Sequence, residues 1–229
     1  MDKFFEIGIF PVTLTLGAFY LGQAMQKKWK KPFLNPVLLG ALFVLAFLLL
    51  TGMDIGTYKT GSSYLSWLMT PATIALAIPM YEQLRALWKS KGAILIGVCA
   101  GALSCLGFLL LGGILLKLND VLIVSLLPKS VTAAIAVTLS RMQGGLEGVT
   151  TTAIMITGIF ANMTGSAMCR WFRITDETAQ GVAFGTAGHV IGTARANEIS
   201  PLTGAVSSLS LVVAGLLTAV LFPLFTGLP

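Results

Sequence analysis

The chain has 229 residues, of which 55% are hydrophobic and 10% are charged, and its mean hydropathy is +0.87. Soluble domains usually carry about 25% charged residues, and a chain of this length still has a large surface to expose. We therefore exclude a soluble domain, since most of the surface has to face lipid, and we predict a single integral membrane domain over residues 1–229.

Eight apolar segments follow one another, and a membrane-crossing helix needs roughly 20 residues. We predict helices over 5–25, 34–52, 64–83, 93–116, 121–141, 149–169, 179–198 and 206–224. The fold class is all-α, a polytopic transmembrane helical bundle. Two of its helices are interrupted by polar stretches, a pattern compatible with a carrier-like inverted repeat.

The net charge of +6 does not indicate a nucleic-acid partner. Its cations cluster beside apolar runs, as at 27–31 and 85–91, where charges that set membrane orientation are found. The three cysteines lie in apolar stretches without the spacing of metal ligands. We therefore expect a lipid bilayer as partner, no nucleic acid, no metal and no cofactor.

The cations also predict an orientation, provided that every predicted segment crosses the membrane. Loops after the first, third and fifth segments hold eight cations, namely Lys27, Lys28, Lys30, Lys31, Arg85, Lys89, Lys91 and Arg141. The opposite loops hold four, namely Lys59, Lys117, Arg170 and Arg173. By the positive-inside rule, the N-terminus is expected outside.

The first interruption is the stretch LLPKSVTAAIA. Pro128 ends the preceding helix, and a new helix can begin at about 128–130 with Ser130 as its cap. The unpaired N–H groups of that helix start, together with Lys129, favour an anion, and Thr132 adds a second hydroxyl. Alternatively, Lys129 lies at the membrane surface, where lysine side chains snorkel.

The second interruption is GTAGHVIGTARANE, whose glycines can loosen a helix. It contains His189, the single histidine of the chain, which is either a structural residue or a proton relay. Arg195 and Glu198 stand three positions apart and can pair on one helix face. Alternatively, Arg195 holds a carboxylate substrate through two hydrogen bonds.

Two other features suggest close packing or a polar contact. Asn35 precedes a proline at a helix start, so it is either a helix cap or an amide that faces a cavity. Gly97 and Gly101 have the spacing that lets another helix approach closely.

The stretches NPVLL, PATIALAIPMYEQL, LPKSVT and GTAGHVIGTARANE resemble the signature stretches of the LrgB/CidB family of bacterial membrane proteins. The resemblance covers nearly the whole chain, in the same order. It implies an antiholin-like regulator of murein hydrolases and cell lysis, encoded beside a small LrgA/CidA-type membrane protein, or transport of acids such as pyruvate, glycolate and glycerate. It also implies a multi-pass protein of the bacterial cell (inner) membrane. The positions that it carries over are Lys129, Ser130, Thr132, His189, Thr193, Arg195 and Glu198.

Our leading hypothesis is a secondary transporter of small monocarboxylates of the pyruvate, glycolate, glycerate or lactate type, not an enzyme. The predicted substrate-binding residues are Lys129, Ser130, Thr132, Thr193, Arg195 and Asn35. A coupling proton would be held by His189 or Glu198. The alternatives are an antiholin-like regulator acting with an LrgA/CidA-type partner, an anion channel, and an enzyme with a Ser130–Lys129 dyad. We disfavour the dyad because adjacent helical side chains point apart. A homodimer is expected for a carrier of this size.

Overall fold

The computed structural model describes residues 9–29, 34–68, 71, 74–75 and 77–227. They belong to two units, Met1–Leu76 and Ala77–Pro229. Within the described residues nearly every position is helical and none is in a strand, which confirms the all-α fold class.

In the unit Met1–Leu76, two apolar helices pack against each other, α1 (Ile9–Trp29) and α2 (Pro36–Thr51). Gly22 lies against the backbone of Pro36, and Gly40 lies against that of Phe19, so the two helices run antiparallel. Two short helices follow, α3 (Ile55–Gly61) and α4 (Ser63–Trp67).

Helix α2 begins as the sequence predicts. The Oδ1 atom of Asn35 accepts hydrogen bonds from the backbone N–H groups of Val37 (2.8 Å) and Leu38 (3.2 Å). Pro36 occupies the first helical position, where its missing N–H costs nothing. The side chain of Asn35 is therefore committed, at least in part, to capping.

The helix predicted over 64–83 falls partly outside the described residues, as does the start of the helix predicted over 5–25. At the far end of 64–83, the chain forms α5 (Ala77–Glu82), which belongs to the unit Ala77–Pro229.

Among the described residues, three helices are long and apolar enough to cross a membrane, and all three belong to the unit Ala77–Pro229: α6 (Leu84–Leu115), α9 (Glu147–Trp171) and α11 (Pro201–Thr226). They correspond to the predictions over 93–116, 149–169 and 206–224. Helix α6 begins earlier than predicted. The prediction began the helix after the cations Arg85, Lys89 and Lys91, but these residues are good helix formers and belong to α6.

The proline interruption forms a helical hairpin, here called hairpin A (120–142), from α7 (Asp120–Leu126) and α8 (Ala133–Met142). Ser125 of the first arm accepts a hydrogen bond from the backbone N–H of Leu146 (2.7 Å). Ser140 of the second arm accepts one from the hydroxyl of Thr150 (2.7 Å). Ser125 and Ser140 therefore lie together beside the N-terminus of α9, and the non-helical segment 127–132, which joins the two arms, is the tip.

The glycine-rich interruption is α10 (Glu177–Ile199), which leaves helical geometry at His189 (φ 41°, ψ −138°). A Cβ atom on Gly192 would lie 2.6 Å from the carbonyl oxygen of Phe184. In a continuous helix these two positions would be about 12 Å apart. Gly185 of the first half and Thr193 of the second half also meet the same residue of α11, Ser207. The segment is thus a second helical hairpin, hairpin B (177–199), with His189 at its tip.

The two hairpins insert from opposite ends of α9. Hairpin B has its base at the C-terminal part of α9, where Arg195 bonds to Ser166. Its tip reaches the middle of α9, where the ring of His189 bonds to the carbonyl of Ile154. The tip of hairpin A packs at the same level, since Val131 clusters with Ile154. The orientation count above treated both interruptions as membrane crossings, whereas each segment folds back on itself as a hairpin.

Candidate functional site

A cavity of about 450 Å³ lies between the two hairpins, α6 and α9. Its polar end is lined by Cys105, Lys129, Ser130, Thr157 and Thr186. Its apolar end follows α9 toward the C-terminus of that helix and is lined by Met168, Cys169, Phe172, Ile174 and Phe184. Because Thr157 and Phe172 are separated by about 22 Å of helix rise, the cavity is elongated along α9.

Lys129 is the only charged side chain among the described residues that line the cavity. It lies at the tip of hairpin A between Leu127 and Val131, which are each 1% exposed. No carboxylate of the described ranges forms an ion pair with it. A half-buried cation without a partner costs free energy, and an anion in the cavity would lower that cost.

Ser130 lines the cavity beside Lys129, and its hydroxyl lies 3.0 Å from the thiol sulfur of Cys105 on α6. The prediction that Ser130 caps the next helix is wrong. Residues 127–131 are not helical, so the chain becomes helical again only after Thr132, which is the N-cap, and the side chain of Thr132 makes no capping bond. The partial positive charge of that helix start is therefore not offset by a capping side chain near Lys129.

Three threonines complete the polar lining. The hydroxyls of Thr164 and Thr186 donate to carbonyls of their own helices, at 2.7 Å and 2.6 Å, so their oxygens remain as acceptors. Thr157 makes no hydrogen bond to any described residue, and its hydroxyl is free to donate. Sequence reasoning did not find Cys105, Thr157 or Thr186, because isolated small polar residues within apolar helices have no distinctive spacing.

His189 is buried and does not line the cavity. Its Nε2 atom lies 2.9 Å from the carbonyl oxygen of Ile154, and a carbonyl only accepts, so Nε2 carries the hydrogen. Gly158 makes room for the ring, since a Cβ atom there would lie 2.7 Å from Nε2. His189 thus fixes the tip of hairpin B to α9, close to the tip of hairpin A.

Thr193 does not line the cavity either, and its side chain supports the break in hairpin B. Its hydroxyl donates to the carbonyl of His189 (2.9 Å) and lies 2.8 Å from the hydroxyl of Ser207. The amide of Asn162 donates to the carbonyl of Ile191 (2.9 Å). These bonds satisfy backbone groups near the break, as non-helical backbone at membrane depth requires.

Arg195 and Glu198 form the ion pair predicted from their spacing. The Nε atom of Arg195 also donates to the hydroxyl of Ser166 (3.2 Å). Their side chains are 38% and 58% exposed, and neither lines the cavity. The structure therefore places Lys129 at a hairpin tip and Arg195 at the base of the other hairpin, so the two cations do not share the cavity lining.

The remaining two predicted substrate-binding residues do not line the cavity. Thr132 is half-buried and precedes α8. Asn35 is buried in the unit Met1–Leu76, where it caps α2.

The family model of the LrgB-like family matches residues 15–228. The chain belongs to the LrgB-like family. This match confirms the resemblance drawn from the sequence, and with the three long apolar helices it identifies a membrane protein. No solved structure matches the chain. In this LrgB-like protein, the stretches LPKSVT and GTAGHVIGTARANE form the tip of hairpin A and most of hairpin B.

Proposed function

We propose that this LrgB-like protein is a secondary carrier for monocarboxylates in the bacterial cell membrane, and that it performs no chemical conversion. The observation that carries the proposal is the position of Lys129. It is the one charged residue of the described cavity lining, and it lies where two hairpins from opposite ends of α9 meet.

The polar end of the cavity suits a carboxylate with a neighbouring oxo or hydroxy group. The ammonium of Lys129 would hold the carboxylate, since bonds between ionised partners are the stronger ones. Ser130 and Thr157 supply hydroxyl donors for the remaining oxygen atoms. The described lining contains no Asp or Glu that would repel an anion.

Opposed hairpins also give a route to alternating access, because motion of either hairpin against α9 opens the site toward one membrane face. Gly97 and Gly101 on α6 face Val182 and Thr186 of hairpin B, as their spacing predicted. A Cβ atom on these glycines would lie 3.0 Å and 3.3 Å from those side chains. Because these two glycines present no side chain to hairpin B, hairpin B could shift along α6. For proton coupling we favour His189 over Glu198, since Glu198 is exposed and paired.

With both hairpins re-entrant, the cation count changes. Arg141 joins the outer set, and Arg170 and Arg173 join the inner set, which gives nine inner and three outer cations. Under this topology we propose a multi-pass protein with its N-terminus outside.

The test is counterflow in liposomes loaded with unlabelled pyruvate, lactate, glycolate or glycerate. Wild-type protein is expected to take up the labelled acid faster when the same acid is inside, which distinguishes a carrier from a channel. Lys129→Gln should abolish this stimulation, and Lys89→Gln, at an exposed lysine on α6, should not.

Absence of flux for every acid tried, with folded and oriented protein, would contradict the proposal. Copurification of that inactive protein with an LrgA/CidA-type partner would instead support the antiholin-like function. A homodimer remains part of the proposal and is checked by the mass of the purified complex.

A further inference from the structure

We infer that the hydroxyl of Thr186 accepts a hydrogen bond from the 2-hydroxyl group of a bound hydroxy acid, so that Thr186 distinguishes 2-hydroxy acids from 2-oxo acids. This inference rests on the proposed function, because it takes Lys129 as the site of the carboxylate. It concerns short acids of both classes, and it assigns the recognition of the oxygen on the second carbon to one side chain.

Thr186, on the first arm of hairpin B, lies near the tip of hairpin A. A Cβ atom on Gly101 of α6 would lie 3.3 Å from the hydroxyl oxygen of Thr186. Cys105 follows about 6 Å further along α6, and its sulfur lies 3.0 Å from the hydroxyl of Ser130. Ser130 and Thr186 also line a second cavity of about 10 Å³, which has room for about one water molecule. The two hydroxyls therefore face neighbouring turns of one helix.

A short acid can reach both Lys129 and Thr186. Two hydrogen bonds of about 2.8 Å each, together with the acid between them, span roughly 8 Å. The side chain of Lys129 is long and flexible, so its ammonium group can follow the carboxylate. An acid of two or three carbons bound at Lys129 can therefore place the oxygen on its second carbon beside Thr186.

The hydrogen of the Thr186 hydroxyl is already used. It is donated to the carbonyl of Val182 at 2.6 Å, so the hydroxyl oxygen keeps only its capacity to accept. A 2-hydroxyl group can donate to this oxygen and adds one hydrogen bond without breaking another. A 2-oxo group only accepts, so it would bond to Thr186 only if the bond to Val182 were given up.

The other polar groups near Lys129 serve both classes of acid. The ammonium of Lys129 is a donor only, and it binds the carboxylate that the two classes share. Thr157 makes no hydrogen bond to any described residue, so its hydroxyl can donate to an oxo or to a hydroxyl oxygen. Among the described residues at the polar end, Thr186 is the hydroxyl whose hydrogen is committed to a backbone carbonyl. Discrimination between the two classes is therefore expected at Thr186.

The experiment measures the Kd of purified protein in detergent for pyruvate, for both enantiomers of lactate and for propionate, which all have three carbons. The quantity compared is the Kd of the better lactate enantiomer divided by the Kd of pyruvate. Thr186→Val keeps the branched shape and removes the acceptor, so this ratio should rise about two- to tenfold, as for one net hydrogen bond. Thr152→Val is the matched control and should leave the ratio unchanged. Thr152 is exposed on α9, donates to the carbonyl of Gly148 (2.8 Å) and does not line the cavity.

A second variant tests the same oxygen without replacing Thr186. Gly101→Ala places a methyl group against the Thr186 hydroxyl, so it should also raise the ratio. Its control is Gly107→Ala on the same helix, where a Cβ atom meets nothing within 4 Å. This pair keeps the inference testable if Thr186→Val does not fold.

The failure of the inference is distinct from the failure of the proposed function. An unchanged or lowered ratio in folded Thr186→Val would overturn the inference and leave the proposed function intact. Wild-type protein that binds propionate as tightly as lactate would also overturn it, because the oxygen on the second carbon would then not be recognised. If wild type binds none of these acids, or if Lys129→Gln binds them equally well, the proposed function fails as well.

Discussion

Gly192 lies against the backbone carbonyl of Phe184, a residue that a continuous helix would place about two turns away. This contact shows that hairpin B folds back on itself at His189. With the matching fold of hairpin A, it brings two polar tips from opposite ends of α9 to the same level.

Gly192→Ala should destabilise the protein by about 1–3 kcal/mol, because the added methyl group overlaps the Phe184 carbonyl. Gly107→Ala on α6 is the matched control. A Cβ atom at Gly107 meets nothing within 4 Å, so this change should stabilise the helix by about 0.5–1 kcal/mol. Denaturation of the two variants in detergent, compared with wild type, measures both effects. Equal stability of the two variants would argue against the fold-back.

His189 combines an anchoring bond with backbone angles that suit glycine. In His189→Ala the bond is lost and the strain stays, whereas His189→Gly loses the bond and relieves the strain. We therefore expect the glycine variant to be more stable than the alanine variant by about 1 kcal/mol. A helix interior would give the reverse order. The same unfolding assay checks the sign, and a more stable alanine variant would refute the strained tip.

The two residues that flank a re-entrant hairpin lie on the same side of the membrane, whereas the two that flank a crossing lie on opposite sides. Cysteine labelling of right-side-out vesicles distinguishes these two arrangements. In a background without native cysteines, Leu116→Cys and Gln143→Cys flank hairpin A, Thr175→Cys precedes hairpin B, and Ile199→Cys is at the last residue of hairpin B. We expect the members of each pair to label from one side and the two pairs to label from opposite sides. Members of one pair that label from different sides would show a crossing.

The sequence predicted the three long helices and both interruptions because apolar length and helix breakers are local properties. Helix α7 ends just before Pro128, which lacks an N–H and clashes with the preceding turn. Asn35 caps α2 because the capping motif is contained in adjacent residues. The fold-back at His189 could not be predicted from sequence, because it depends on Gly158 and Gly192 giving room to distant groups. For the same reason, the sequence placed Lys129 and Arg195 in one substrate site. In the structure, Lys129 lies at the tip of hairpin A and Arg195 lies at the base of hairpin B.

Substitution of Arg195 tests whether this residue lies outside the substrate site. Because it does not line the cavity, Arg195→Gln should change the Kd for a bound acid less than about threefold. Its exposed pair with Glu198 should contribute at most about 1 kcal/mol to the free energy of unfolding. Isothermal titration and denaturation of the variant measure these quantities. A tenfold loss of affinity with unchanged stability would return Arg195 to the substrate site.

The account depends most on Lys129 holding the carboxylate, and the direct measurement is the Kd of Lys129→Gln for the acid that wild type binds best. Loss of a charged hydrogen bond costs about 1.5–3 kcal/mol, so affinity should fall roughly 10- to 150-fold. Lys129→Arg should retain part of it, and Lys89→Gln should match wild type. Unchanged affinity in a folded Lys129→Gln protein would contradict the account.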